Sequence, residues 1–172
     1  MKGDVMLRPI RLSDLRQMPG QTQEVHFRQF FPGFESLTPV EGSLQASHRG
    51  HFLEVSAEAR TIVTLTCHRC LQQFNHRLHL QVEEIILIRE PSPEPPPLEL
   101  ELRDEEDLLE SLPPNGELDI EDWMYQHLHL EMPHQLPCRP DCPGIVVEAA
   151  APPPVDPRWS ALAALLKDSP HP

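Results

Sequence analysis

Thr61-Ile62-Val63-Thr64-Leu65-Thr66-Cys67-His68-Arg69-Cys70-Leu71 is a β-branched run that ends in two cysteines with two residues between them. Branching at Cβ stiffens χ1 and favours extended chain, so residues 61–66 are expected to form a strand that delivers both thiols onto a tight turn. Beyond the turn, Phe74, Leu78, Leu80 and Val82 alternate with Asn75, Arg77, His79 and Gln81. That period of two predicts a strand with one buried and one wet face over Phe74–Ile88. The two runs read as an antiparallel hairpin with Cys67 and Cys70 at its tip. Near Glu84 the alternation gives way to Ile85-Ile86-Leu87-Ile88, which predicts a bulge or a strand covered on both sides.

Upstream the pattern is also extended. A short strand is expected at Val5–Ile10, then a helical turn over Asp14–Met18 capped by Ser13 and stopped by Pro19-Gly20. Thr22–Phe31 follows as a strand, and Phe31-Pro32-Gly33-Phe34 reads as a turn between apolar anchors at the edge of the core. Val40–His48 and His51–Ala59 flank Arg49-Gly50, a hairpin signal.

Downstream, Glu90–Pro97 is an extended proline spacer, and the acidic stretch Leu98–Leu112 predicts a short helix from Asp104 with Leu108, Leu109 and Leu112 on one side. Pro113-Pro114-Asn115-Gly116 closes it with a turn. Asp119 is placed to cap a helix in which Ile120, Trp123, Met124 and Leu128 share a face, with Glu121 and Asp122 on the first turn and Pro133 as the stop. His127 and His129 on that helix are read as surface or core-edge residues rather than ligands. A proline linker, Ala149–Val155, leads to Asp156-Pro157-Arg158-Trp159, the start of a last amphipathic helix with Trp159, Leu162, Leu165 and Leu166 as its stripe. The expected division is therefore a β domain over 1–90 and a proline-rich acidic insertion over 91–117. A helix with a second cysteine pair packs on the β domain over 118–148, and a linker with an amphipathic helix fills 149–172.

Charge follows this division. Residues 1–80 hold nine Lys/Arg against seven Asp/Glu, while residues 81–172 hold five against twenty, so the second part, at −15, accounts for the net charge of −13. Such a balance makes a poor general binder of phosphate backbone, because counterion release needs a basic surface. The acidic half suits a cationic partner such as a basic ribosomal protein. Met1–Ile10 lacks a secretory apolar core, and no apolar run nears the roughly 18–20 residues of a membrane span. A cytoplasmic location is expected.

The only other cysteines are Cys138 and Cys142, with 67 residues between the pairs. Two close thiol pairs supply the tetrahedral donor set of a structural zinc site, with sulfur at about 2.3 Å from the ion. Closing a loop of that length costs roughly 3–4 kcal/mol. Structural zinc supplies on the order of 10–16 kcal/mol. An iron–sulfur cluster would use the same four thiolates, a redox or metal-sensing dithiol would use Cys67 and Cys70, and unliganded thiols are the remaining reading. Four sulfur ligands leave no open position for a metal-bound water, which argues against a catalytic metal. No Gly-rich phosphate loop, Gly-x-Ser-x-Gly elbow or His-Glu-x-x-His motif is present, so no enzyme is expected.

Taken in order, Thr64–Leu71 with its Cys-x-Arg-Cys clip, Leu118-Asp119-Ile120 opening a helix, Cys138 with Cys142, and Asp156-Pro157-Arg158-Trp159-Ser160-Ala161-Leu162 resemble the YceD family of large ribosomal RNA subunit accumulation proteins. The likeness extends from about Leu7 to Lys167. It implies a non-catalytic ribosome-biogenesis role in the synthesis, processing or stability of large-subunit (23S) ribosomal RNA. The expected fold is mainly β with peripheral helices (α+β), a small antiparallel sheet or partly open barrel stapled by one zinc ion at Cys67, Cys70, Cys138 and Cys142. Expected partners are large-subunit ribosomal RNA, a basic ribosomal protein, or both, with Arg60, Arg69 and Arg77 as candidate RNA contacts.

Overall fold

The computed structural model describes residues 7–90 and 110–145. Its frame is an antiparallel meander of four strands, β2 (Thr22–Gln29), β3 (Val40–His48), β4 (Phe52–Thr66) and β5 (Gln73–Ile88). The strand order is that of the sequence, and β6 (Ser111–Leu112) adds to β5 in parallel, so the sheet ends in two edges and is not closed into a barrel. The two strands expected at His51–Ala59 and Ile62–Thr66 are one strand of 15 residues. Ala59-Arg60-Thr61 contains no turn former, and the alternation of buried and wet residues continues straight through it.

Register across β4 and β5 is unbroken from Phe52↔Leu87 to Thr66↔Gln73, so the bulge expected near Glu84 does not form. Alternation holds there instead: Ile86 is buried and Ile85 is 46% exposed. Glu84 therefore lies on the inner face with Leu80, Val82 and Ile86. The chain turns between β3 and β4 through Gly50 at φ 90°, where the Gly50 N–H donates to His48 Nδ1 at 3.2 Å.

Against the inner face lie the helical turn α1 (Leu12–Leu15), the small ladder of β1 (Ile10–Arg11) with β7 (Glu117–Leu118), and α2 (Ile120–Leu130). Ser13 does not cap α1. The helical turn starts two residues earlier, with Arg11 in the cap position and no side-chain cap, and both Leu12 and Leu15 are buried. The expected strand at Val5–Ile10 is shorter than read, beginning at Ile10 among the described residues. Ser111 and Leu112 belong to β6, not to a helix, and Glu110 before them is not helical; residues 98–109 of the acidic stretch, like the linker and tail helix after 145, lie outside the described residues. The 113–116 turn forms as expected, with Gly116 N donating to Pro113 O at 2.8 Å.

The second helix α2 begins as the sequence indicates: the Asp119 carboxylate accepts from Glu121 N at 3.0 Å and Asp122 N at 3.1 Å. Ile120, Trp123, Met124 and Leu128 are all buried against the sheet. At about 1.5–3 kcal/mol per fully buried large side chain, this face contributes roughly 6–12 kcal/mol. Phe31 and Phe34 join the same core across the Pro32-Gly33 turn, while Phe30 stays exposed. Gly33, at φ 78°, lets the turn pass close to the Tyr125 ring. Among the described residues no helix is long and apolar enough to cross a membrane.

Candidate metal centre

Cys67 directly follows the last residue of β4 and Gln73 begins β5, so the first thiol pair sits on the hairpin tip. Two short bonds fold that tip: Leu71 N to Cys67 O and Cys67 N to Gln72 O, both 2.9 Å. Leu71 takes φ 61°, an unfavourable setting for a side chain with a Cβ, and the bonds on either side hold it there. The second pair lies on irregular chain after α2. Cys142 N donates to Arg139 O at 3.1 Å, and Gly144 at φ 78° turns the backbone past the Arg69 carbonyl.

These two turns bring four sulfurs to within 4.8 Å of one another. Two pairs run between the clips, Cys67 Sγ to Cys142 Sγ and Cys70 Sγ to Cys138 Sγ, each at 3.8 Å. A disulfide needs about 2.05 Å, and all four are free thiols. A tetrahedron with sulfur about 2.3 Å from its centre has edges of about 3.8 Å, so the arrangement matches a single four-coordinate ion. The four cysteines can hold a metal ion.

Their electrostatics point the same way. Burial would raise the Cys67 thiol, but the backbone N–H groups of Cys70, Cys138 and Arg69 outweigh it and bring Cys67 down to about 5. Two of these donors lie at 3.4 Å (Arg69) and 3.3 Å (Cys138) from its sulfur. Cys138 is pushed up to about 12 by burial and by the neighbouring sulfurs of Cys142, Cys70 and Cys67. Cys70 also moves up: a bond from the Gln72 backbone opposes the rise, and burial with the Cys67 and Cys142 sulfurs overcomes it. One thiolate is thus prepared by the backbone, while Cys70 and Cys138 need positive charge nearby before they ionise as readily.

Of the arginines expected near RNA, Arg69 lies across the two clips, its Nη1 donating to Cys142 O at 3.2 Å. Arg139 pairs with Asp141 at the surface, 3.6 Å apart. Arg60 and Arg77 project from the outer face of the sheet, in the register pairs Arg60↔His79 and Ile62↔Arg77. His127 and His129 stand on α2 away from the sulfurs. His129 Nδ1 lies 2.9 Å from Tyr125 O, and His127 Nε2 lies 3.1 Å from Glu84 Oε2. The same carboxylate accepts from Trp123 Nε1, which ties α2 to the middle of β5. Sequence reading missed this anchor, although a glutamate at an inward position of a regular strand was the available signal.

The family model described as large ribosomal RNA subunit accumulation protein YceD matches residues 55–166, a span that starts in β4 and contains both clips. No curated protein matches the chain, and no solved structure matches it.

Proposed function

Because the chain belongs to the YceD family of large ribosomal RNA subunit accumulation proteins, we propose that it is a non-catalytic ribosome-biogenesis factor whose working surface is held together by one structural zinc ion. The observation that carries the metal part is the close approach of four thiols on two turns, with edges of 3.8 Å between the clips. Zinc is favoured over an iron–sulfur cluster because a cluster interposes several metal atoms and sets its thiolates farther apart than the 4.8 Å limit seen here. A redox dithiol at Cys67 and Cys70 is disfavoured because each of these sulfurs also stands 3.8 Å from a sulfur of the other clip, so that all four converge on one point. The ion, when bound, neutralises thiolate charge and fixes the geometry. Four sulfur donors leave it no position for substrate or water.

The protein residues then act by binding. The acidic back half suits a basic ribosomal protein, and the arginines of the sheet suit large-subunit ribosomal RNA, in the cytoplasm. Two measurements test the reading. Protein purified without added metal should carry about one zinc per chain, and Cys67→Ser should abolish it; a metal-free, reversible disulfide would replace this reading with the redox one. In lysate fractionated by sedimentation at low salt, the protein should travel with large-subunit precursor particles. Sedimentation only as free protein would count against the ribosomal role.

A further inference from the structure

Among the described residues nothing covers the outer face of the sheet, and its charge is divided along the strands. One cross-strand row holds Arg28, Glu41, Arg60 and His79, in the register Arg28↔Glu41, Glu41↔Arg60 and Arg60↔His79. Arg77 follows two residues from His79 toward the hairpin tip, opposite Ile62. The rows toward the far end carry Glu24, Glu58, Glu83 and Glu54 instead. The arginine end is concave, a cleft of about 530 Å³ lined by Arg28, Glu41, Arg60, Ile62, Arg77 and His79 among others.

Among the described residues most guanidinium donors in this cleft are unspent. Glu41 takes only Nε of its two neighbours, at 3.6 Å from Arg28 and 2.8 Å from Arg60. Among the described residues no protein acceptor takes the outer nitrogens of either, and Arg77 has no acidic partner. The threonine hydroxyls at the cleft floor are occupied: Thr61 donates to Thr38 O at 2.7 Å, and Thr38 Oγ1 accepts from Ile62 N at 3.1 Å. Three guanidiniums against the shared Glu41 carboxylate, with Glu58 at the cleft's edge 3.3 Å from His79, leave an excess of positive charge on a chain whose net charge is −13.

We propose that this cleft binds the phosphate backbone of single-stranded RNA, with Arg28, Arg60 and Arg77 as the phosphate contacts and Arg69 outside the site. The proposal rests on the ribosomal reading above and names the surface that would serve it. The three arginines spread from β2 to β5, about 14 Å at roughly 4.8 Å per strand gap, which fits a linear polyanion better than one isolated phosphate. The guanidinium fork matches phosphate oxygens bidentately. Among the described lining residues there is no Phe, Tyr or Trp for bases to stack on, so recognition is of backbone and tolerant of sequence. The glutamates at the far end repel a strand laid lengthwise, so the RNA crosses the sheet beside the hairpin tip.

Full-length, metal-loaded protein titrated into a fluorescent oligouridylate tests this directly. Three phosphate contacts to a single strand predict a roughly 20-fold loss of affinity between 50 and 200 mM salt. Each of Arg28→Ala, Arg60→Ala and Arg77→Ala should lower the salt slope by about 0.7. Glu41→Gln should tighten binding by freeing two guanidiniums, and Arg49→Ala, the same charge change elsewhere on the molecule, should alter neither affinity nor slope. Arg28 and Arg60 are 71% and 74% exposed in their side chains, so these variants keep the fold. No binding by the wild type, binding indifferent to salt, undiminished binding by the triple variant, or capture of a polyglutamate peptide in preference to RNA would each overturn the proposal. Precursor particles that retain the triple variant while oligouridylate binding fails in both proteins would sink the cleft and leave the ribosomal reading standing.

Discussion

Removing the metal should release residues 133–145 and leave the rest of the molecule folded. That segment holds no strand or helix, and Cys142, 5% exposed, is its one buried side chain. Its hydrogen bonds to the hairpin tip are His68 N to Leu136 O at 3.4 Å, Cys138 N to Cys67 Sγ at 3.3 Å and Arg69 Nη1 to Cys142 O at 3.2 Å. Ordering thirteen residues costs about 13 kcal/mol at the low end of the usual range, appropriate because four of them are proline. Three bonds return about 3 kcal/mol. The shortfall of roughly 10 kcal/mol is of the size that structural zinc supplies, on the order of 10–16 kcal/mol. The helix α2 needs no such help, since its four buried side chains dock it independently. Hydrogen exchange with and without a chelator, and on Cys138→Ser/Cys142→Ser, provides the measurement. The amides of His68, Cys138 and Cys142 should lose protection while those of Val55 and Val63 in β4 keep theirs. Collapse of the whole sheet on chelation, or full protection of 133–145 in metal-free protein, would refute the reasoning.

Glu84→Ala should cost about 2 kcal/mol in urea denaturation, because it strands the Trp123 indole N–H and the His127 ring at the edge of the core. Glu84→Gln should cost less, since an amide oxygen still accepts, and zinc content should be unchanged in both. Gly42→Ala should destabilise by about 1–3 kcal/mol in the same assay, because a Cβ there would clash with the Glu58 carbonyl, backbone that cannot move without parting β3 from β4. His48 is held below its usual value by burial and then by the Arg16 charge, so the folded state binds its proton less readily than the unfolded chain. The stability it contributes is present above the unfolded value of 6.5 and is lost as pH falls toward the lowered folded value. Thermal unfolding between pH 7.5 and 5 should show that decline, flattened in His48→Asn.

Local physics made much of the fold legible. The period of two in Phe74–Val82 marked both the strand and its inner face, and Asp119 with Ile120, Trp123, Met124 and Leu128 marked α2 and its buried side. At Glu84 and at Arg60 a break in the hydrophobic pattern suggests a bulge, a strand covered on both sides or a strand end, and the structure has none of these. In each place the strand runs on, because hydrogen bonding along a long antiparallel pair depends on register rather than on side-chain type. At Leu112 a helical spacing lost to pairing with the end of β5, a contact no local pattern announces.

By itself the sequence determined the strands, the thiols at a hairpin tip and the helix with its cap, since each depends on residues a few positions apart. Only the tertiary structure decided that Cys67 meets Cys142 and Cys70 meets Cys138, that Glu84 anchors α2, and that Arg28, Arg60 and Arg77 share one cleft. Those partners stand tens of residues apart along the chain. Register and the burial of apolar side chains bring them together, and both are properties of the packed molecule.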